Sequence, residues 1–381
     1  TRTLRDLRGR GDLSPARRAE IAAHLAQRPR HDHRPDYGLA RGANLLVVQA
    51  EALQGWVIGA VVDGQEITPF LNQLRRRALY YSAVVDVTAQ GMTSDAEYAA
   101  LSAHYPLGQG ALAFLRAGND FHTVAHALRD AGYATLSAHP FRRGFWNRGV
   151  LHPRYGFERS LFDRELGPGP QIGWGLADDA FFERVLPELQ ALPQPFFAFL
   201  ITLSLHHPYD DFPAARRRLD LGDLEGSALG NYLHGMNHLD GALAGLFAGL
   251  AARGLADRTA VAIYGDHDSR LGVTPEIAAL AGEPAGSPSL ALRLERIPAF
   301  FALPSGHVPS DNHDPAAPPR AGEVDALGSH IDLAPTWLHY LGVPAPLVFA
   351  GRPLLPGAPA DQPPALAALA DGSALTDDRL Y

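Results

Sequence analysis

From Asn44 onward, short apolar runs alternate with longer segments in which apolar residues recur every three or four positions. The runs at 44–50, 79–85, 133–138, 195–202, 259–265 and 297–302 lack a sustained apolar–polar alternation, the pattern of strands covered on both faces. The segments at 67–77, 93–103, 122–132, 178–191, 229–253 and 331–341 carry helical spacing. Gly132 and Gly254 stand where helix C-caps belong. Strands and helices in alternation predict an α/β fold: a mostly parallel central sheet flanked by helices, with a small C-terminal α+β subdomain.

The flanks read differently. Residues 1–43 hold ten arginines, and Ser14-Pro15 starts a predicted helix over 16–27. This stretch is expected to be a basic connector, serving either as an arm toward an anionic membrane surface or as a solvated linker. Residues 44–303 are expected to form the catalytic domain. Residues 304–381 are expected to complete the same unit with a loop, a helix and a subdomain. Within them, 304–328 and 353–364 are rich in Pro or Gly, and 371–381 reads as a terminal hairpin.

Composition narrows the function. At 381 residues, with 46% hydrophobic and 19% charged residues, the chain has the balance of a globular protein. Its net charge of −8 gives no reason to expect nucleic acid as a partner. With no cysteine there can be no thiolate zinc site, cysteine nucleophile or disulfide. All 33 basic residues are arginine, the mark of a GC-rich genome, so phosphate recognition has to be argued for each arginine separately. No run reaches the roughly 20 apolar residues of a membrane helix. No signal peptide is visible, and the start at Thr1 leaves upstream membrane segments open.

Chemistry concentrates at three places. Glu51 ends the run 44–50, Asp266-His267 end the run 259–265, and Thr93 lies in Gly91-Met92-Thr93-Ser94-Asp95 at a predicted helix start. In open α/β sheets, sites lie beyond the carboxyl ends of the strands. Glu51 or Thr93 alone could simply cap a helix. Together, three oxygens and one imidazole suit a single divalent metal that activates the Thr93 hydroxyl.

These landmarks, with Ile67-Thr68-Pro69, Phe145-Trp146-Asn147-Arg148, Leu203-Ser204-Leu205-His206-His207-Pro208 and Gly328-Ser329-His330-Ile331-Asp332, resemble the extracellular catalytic domain of lipoteichoic acid synthases and related phosphoglycerol transferases. That family lies in the alkaline phosphatase and sulfatase superfamily. The resemblance implies Thr93 as nucleophile, and Glu51, Thr93, Asp266 and His267 as ligands of one Mn²⁺-like ion, with Mg²⁺ and Zn²⁺ as alternatives. It assigns His139, Trp146, Arg148 and His206 to the phosphoglycerol pocket, with His206 also catalytic. Each pocket residue has a structural alternative, such as packing for Trp146 or a surface ion pair for Arg148. His330 and Asp332, at the start of the predicted helix 331–341, are expected to be structural or to support the site's own residues.

The chain departs from the family pattern at Gln49, Ala52, Met92, Phe141 and Asp268–Leu271. No formylglycine motif surrounds Thr93, so phosphate chemistry is expected rather than sulfate. The implied reaction moves glycerophosphate from a phospholipid headgroup to a polyol or glycan acceptor at the outer face of a membrane. Its rivals are hydrolysis of the diester and a non-catalytic envelope-binding role.

Overall fold

The computed structural model describes residues 14–26, 32–305, 320–357, 367–369 and 372–376. Nine strands form one sheet. In chain order they are β1 (Asn44–Ala50), β2 (Leu79–Val85), β3 (Ala134–Ala138), β4 (Arg159–Leu161), β5 (Phe196–Ile201), β6 (Thr259–Gly265), β7 (Arg296–Ala302), β8 (Gly322–Val324) and β9 (Gly328–Ser329). Their spatial order is β8-β2-β7-β6-β1-β5-β3-β4, with β9 also pairing with β2. Only β7 runs antiparallel to its neighbours.

A first helix, α1 (Pro15–Ala26), is exposed where its side chains are described; the helices that cover the sheet or frame the site are α2 (Pro69–Leu74), α3 (Met92–Ser102), α4 (Val124–Asp130), α5 (Arg148–Arg154), α6 (Asp178–Ala191), α7 (Ala228–Ala252) and α8 (Leu333–Leu341). Every residue of β1 is buried. Its alternate side chains divide between two cores, because successive residues of a strand point to opposite faces. Leu46, Val48 and Ala50 join a core with Phe181 of α6 and Leu239, Leu243 and Leu246 of α7. Leu45 and Val47 join a second core with Leu101 of α3, Leu128 of α4, and Trp337 and Leu338 of α8. Such two-sided burial explains why these runs are continuously apolar.

All six predicted strands and all six predicted helices of residues 44–341 are present; 44–50, 79–85, 259–265 and 178–191 have the expected ends and the others are shifted. The predicted helix at 67–77 is confined to Pro69–Leu74, where Pro69 occupies its first turn. The predicted helix at 331–341 begins with a 3₁₀ turn at His330–Asp332. Strands β4, β8 and β9 were not anticipated; at two or three residues they carry too little pattern to detect. The terminal hairpin pairs Ala367–Ala368 with Ala374–Leu375, earlier than expected. Parts of the 371–381 segment, of 304–328 and of the arginine-rich connector lie outside the described residues. Among those described, no helix is long and apolar enough to cross a membrane.

Candidate active site

Parallel register builds the first half of the site. β1 pairs with β6 so that Ala50 lies opposite Gly265, which places Glu51 and Asp266 side by side just past the strand ends. The Asp266 N–H donates to the Ala50 carbonyl at 3.2 Å. Glycine is required at 265, since a Cβ there would stand 1.9 Å from the Leu53 carbonyl oxygen. Thr202, just past β5, anchors the other side by accepting the Glu51 N–H at 2.9 Å.

The start of α3 supplies Thr93. Asp95 turns back and accepts the N–H groups of Ala89 and Gly91 at 3.1 and 2.9 Å. Gly91 is needed because a Cβ would lie 2.1 Å from the Asp95 carboxylate. Met92 follows in the left-handed region at φ 44°, a local strain of the kind found where function fixes the backbone. Gln49, on β1, donates to the Thr93 carbonyl at 3.0 Å and accepts the Tyr264 hydroxyl at 2.5 Å. Gln49 thus ties the Thr93 turn to β1 and β6.

Four side chains converge. Thr93 Oγ1 lies 3.4 Å from Glu51 Oε2 and 3.3 Å from His267 Nε2. His267 Nε2 lies 3.4 Å from both Glu51 Oε1 and Asp266 Oδ2. One ligand atom each from Glu51, Asp266 and His267 falls within 4.8 Å of the others, and all three residues are buried. Asp266 Oδ1 accepts the N–H groups of Ala52 and His267, both at 2.8 Å. Asp266 Oδ2 and Glu51 Oε1 are buried without a hydrogen-bond partner.

Burial and the neighbouring Asp266 push the Glu51 carboxyl up, and burial pushes Asp266 up. Burial opposes a charge on His267, but Asp266 and Glu51 outweigh it and raise the imidazole to about 9. Two orphaned carboxylate oxygens beside an imidazole nitrogen form a donor set suited to a divalent cation.

The histidines share one arrangement. His267 Nδ1 donates to the Asp268 carbonyl at 2.8 Å, His206 Nδ1 to the His207 carbonyl at 2.6 Å, and His139 Nδ1 to the Ile201 carbonyl at 3.3 Å. Since carbonyls only accept, each ring carries its proton on Nδ1 when neutral, leaving Nε2 as the free atom. His139 Nε2 is buried without a partner. Burial pushes His206 down to about 4 and His139 well below its ordinary value.

Arg148 is fully buried, so it is not a surface ion-pair partner. Its fork is not free for a bidentate clamp either. Nε and Nη2 both donate to Glu97 Oε1, at 2.8 and 2.5 Å, and only Nη1 is left without a partner. His152 completes this buried triad, 3.0 Å from Glu97 Oε2. Trp146 and Asn147 are consecutive left-handed residues that turn the chain into α5. Trp146 is half-buried, its Nε1 has no partner, and its ring packs against Phe114 and Phe145.

Phe145 is the hub of this pocket, in ring contact with His139, Trp146, Trp174 and His206 and lying under the Arg148 guanidinium. Trp174 covers His206 with ring centroids 4.0 Å apart. Glu97, Phe145, His152 and Trp174 were not singled out from sequence. Phe145 lies inside a quoted motif and Glu97 two residues beyond one, whereas Trp174 comes from a distant hairpin and carries no local signal. His330 and Asp332 are structural, as expected. His330 Nε2 donates to the Gly265 carbonyl at 3.2 Å, and Asp332 accepts the N–H groups of Ser329 and Arg352 at 2.9 and 2.8 Å.

A mostly parallel sheet with a metal-type cluster and a hydroxyl at its carboxyl edge defines the class, and the comparisons agree. Residues 43–343 match the sulfatase family, and the chain belongs to it. Within that superfamily its relatives are lipoteichoic acid synthases. It is 31% identical over 349 residues to the lipoteichoic acid synthase-like protein YvgJ of Bacillus subtilis, covering 91% of this chain and 54% of that protein. It is 31% identical over 322 residues to lipoteichoic acid synthase 2 of the same species, covering 81% of this chain and 46% of that protein. The chain thus spans about half the length of these curated relatives.

The crystal structure of the lipoteichoic acid synthase LtaP from Listeria monocytogenes superposes with a TM-score of 0.79 at 24% identity, covering 95% of this chain and 87% of that one. The phosphoglycerol transferase GacH of Streptococcus pyogenes, in complex with sn-glycerol-1-phosphate, superposes at 0.59 with 15% identity, covering 87% and 83%. At these identities the two likenesses establish the fold.

Proposed function

We propose that this chain is the extracytoplasmic catalytic unit of a phosphoglycerol transferase, moving glycerophosphate from phosphatidylglycerol to a hydroxyl acceptor of the cell envelope. The observation that carries the reading is the convergence of Thr93 Oγ1, at 3.3–3.4 Å, on His267 Nε2 and Glu51 Oε2. The lipoteichoic acid synthase relatives supply the substrate class. Thr93 occupies the nucleophile position without a formylglycine precursor, which favours phosphate over sulfate chemistry.

Glu51, Asp266, His267 and Thr93 would hold one divalent ion, with Mn²⁺ the preferred candidate. When bound, such an ion lowers the hydroxyl pKa and neutralises the charge of an approaching phosphodiester. Glu51 Oε2 is the carboxylate oxygen in reach of the Thr93 proton. Thr93 Oγ1 passes its proton to Glu51 and attacks the phosphorus, the bond from phosphorus to the diacylglycerol oxygen breaks, and diacylglycerol leaves with the proton of a protonated His206, which becomes neutral. The glycerophosphoryl group then sits on Thr93. His139 and His206 present Nε2 atoms to it, and a bound anion favours their protonated, donating forms. Arg148 contributes its remaining Nη1 donor. In the second step the neutral form of His206 takes the acceptor's proton, the acceptor oxygen attacks phosphorus, and the Thr93 ester bond breaks.

Mass spectrometry after incubation with phosphatidylglycerol and Mn²⁺ tests the assignment. The Thr93 peptide is expected to gain one glycerophosphoryl group, and Thr93→Ala to gain none. Product analysis with added glycan or glycerol acceptors separates transfer from hydrolysis. Release of free glycerophosphate alone, at an undiminished rate with acceptor present, overturns the transferase reading.

A further inference from the structure

A second cavity lies along β2 on the face of the sheet opposite α3, reaching the carboxyl end of that strand at Arg296. A cavity of about 240 Å³ is lined by Arg75, Arg293 and Arg296, with the Tyr80 and Ser82 hydroxyls and one carboxylate, Glu323. Tyr80 belongs to the core on the α7 face of the sheet, whereas the α3 helix that carries Thr93 packs into the core on the other face. The cavity is therefore not an extension of the Thr93 pocket.

Its origin is visible in the strand register. Ile297 lies opposite Val84, but Ala299 lies opposite Tyr81, so Ser82 and Ala83 of β2 face the single residue Pro298 of β7. Bulges of this kind re-aim side chains and open the ladder. Pro298 has no N–H to contribute, which suits it to the interrupted position. Gly55 forms part of the wall, where a Cβ would come within 3.2 Å of the Arg296 carbonyl.

The charges at this cavity are unbalanced. Three guanidiniums meet one carboxylate, and none of the four groups forms an ion pair among the described residues. Arg293 Nε and Arg296 Nε are buried and have no hydrogen-bond acceptor. Buried donors without acceptors are rare and costly, and here two of them belong to arginines lining one cavity, an environment suited to an anion. All four charges also act on the Tyr80 hydroxyl: burial and Glu323 raise it to about 12, and the three arginines oppose them.

Forked donors in excess over carboxylate match the oxygens of a phosphoryl group. At 240 Å³ the cavity is smaller than the roughly 300–1,000 Å³ typical of sites for drug-sized ligands and suits a small headgroup. We propose that Arg75, Arg293 and Arg296, with Tyr80 and Ser82, form a second anion site for a phosphate ester, separate from the Thr93 site. The same chemistry is offered by a soluble glycerophosphate and by the headgroup of an anionic lipid.

Calorimetric titration with glycerol phosphate, together with sedimentation on vesicles of phosphatidylcholine with and without phosphatidylglycerol, tests the site and its source. The double variant R293Q/R296Q is expected to lose one class of binding site, at least tenfold in affinity, while turnover of a soluble glycerophosphodiester is unchanged. Glu323→Gln is expected to tighten the same binding severalfold, a gain that damage to the fold cannot mimic. Calorimetric binding that depends on the arginines assigns a soluble ester. Vesicle retention that needs both phosphatidylglycerol and the arginines assigns a lipid headgroup. Glycerol phosphate isotherms and vesicle retention that are both the same in wild type and R293Q/R296Q overturn the proposal. Since turnover is read separately, a failure here is distinguishable from a failure of the transferase reading.

Discussion

Gly265 has the least freedom of any residue at the metal-type cluster. The obstacle to a side chain is the Leu53 backbone oxygen, which cannot swing aside. Gly265→Ala must therefore push the ends of β1 and β6 apart, separating Glu51 from Asp266. We expect a loss of about 3 kcal/mol or more in urea unfolding, with loss of metal-dependent turnover. Glu97 is a different case, since it accepts from Arg148 and His152 in a dry interior. Glu97→Gln leaves a buried guanidinium without its counter-charge, a change costing about 3–5 kcal/mol. If the proposed pocket around Arg148 binds the substrate, KM for a glycerophosphodiester is expected to rise along with the stability loss. Thr93→Ala, by contrast, should melt within about a degree or two of wild type and lose turnover, because a single buried hydroxyl contributes little to stability.

At the scale of elements, the site depends on where strands end and α3 begins. Three short segments meet because β1 lies between β5 and β6 in parallel register. Another junction ties residues 32–43 to α8. Asp36 accepts from His339 at 2.9 Å and from Arg34 at 2.9–3.3 Å. Burial pushes Asp36 up, but the His339 and Arg34 hydrogen bonds outweigh it and hold the carboxyl below its ordinary 3.8. A depressed carboxyl stabilises the fold above its unfolded pKa, and that contribution is lost as pH falls below about 4. Asp36→Asn is expected to cost about 1–3 kcal/mol at pH 7. The gap between wild type and variant should begin to narrow as denaturation curves are taken from pH 5 down to pH 3. A gap that stays constant would show that the ion pair contributes nothing.

At the scale of the whole molecule, a sheet buried on both faces acts as a rigid frame with its chemistry at one edge. The orphaned oxygens of Glu51 and Asp266 make that edge the natural place for a cation. Binding to the folded state alone stabilises by mass action, about 2.7 kcal/mol at one hundred times Kd. Scanning calorimetry should show Tm falling by several degrees when a chelator is added and recovering with excess Mn²⁺. Glu51→Gln is expected to abolish the recovery. An unchanged Tm in both conditions would argue against a cation at this edge.

Much of this was legible before the fold was known, and the division has a physical basis. Strands covered on both faces must be continuously apolar, so β1, β2, β5 and β6 announced themselves. The ligand-type residues at their ends stood out against those runs, as did Thr93 in its glycine-led turn. The resemblance to lipoteichoic acid synthases rested on such local motifs, which a chain preserves residue by residue. What the sequence could not determine are relations between distant residues. The resemblance assigned Arg148 to the phosphoglycerol pocket, yet only packing places Glu97 and His152 beside it. Trp174 reaches His206 from a separate hairpin, and β4, β8 and β9 are too short to carry a period. The arginine-lined cavity lies where β2 and β7 slip by one residue opposite Pro298. Residue type and spacing set which chemistry is available; pairing register and burial decide which of those groups meet, and which are left without a partner.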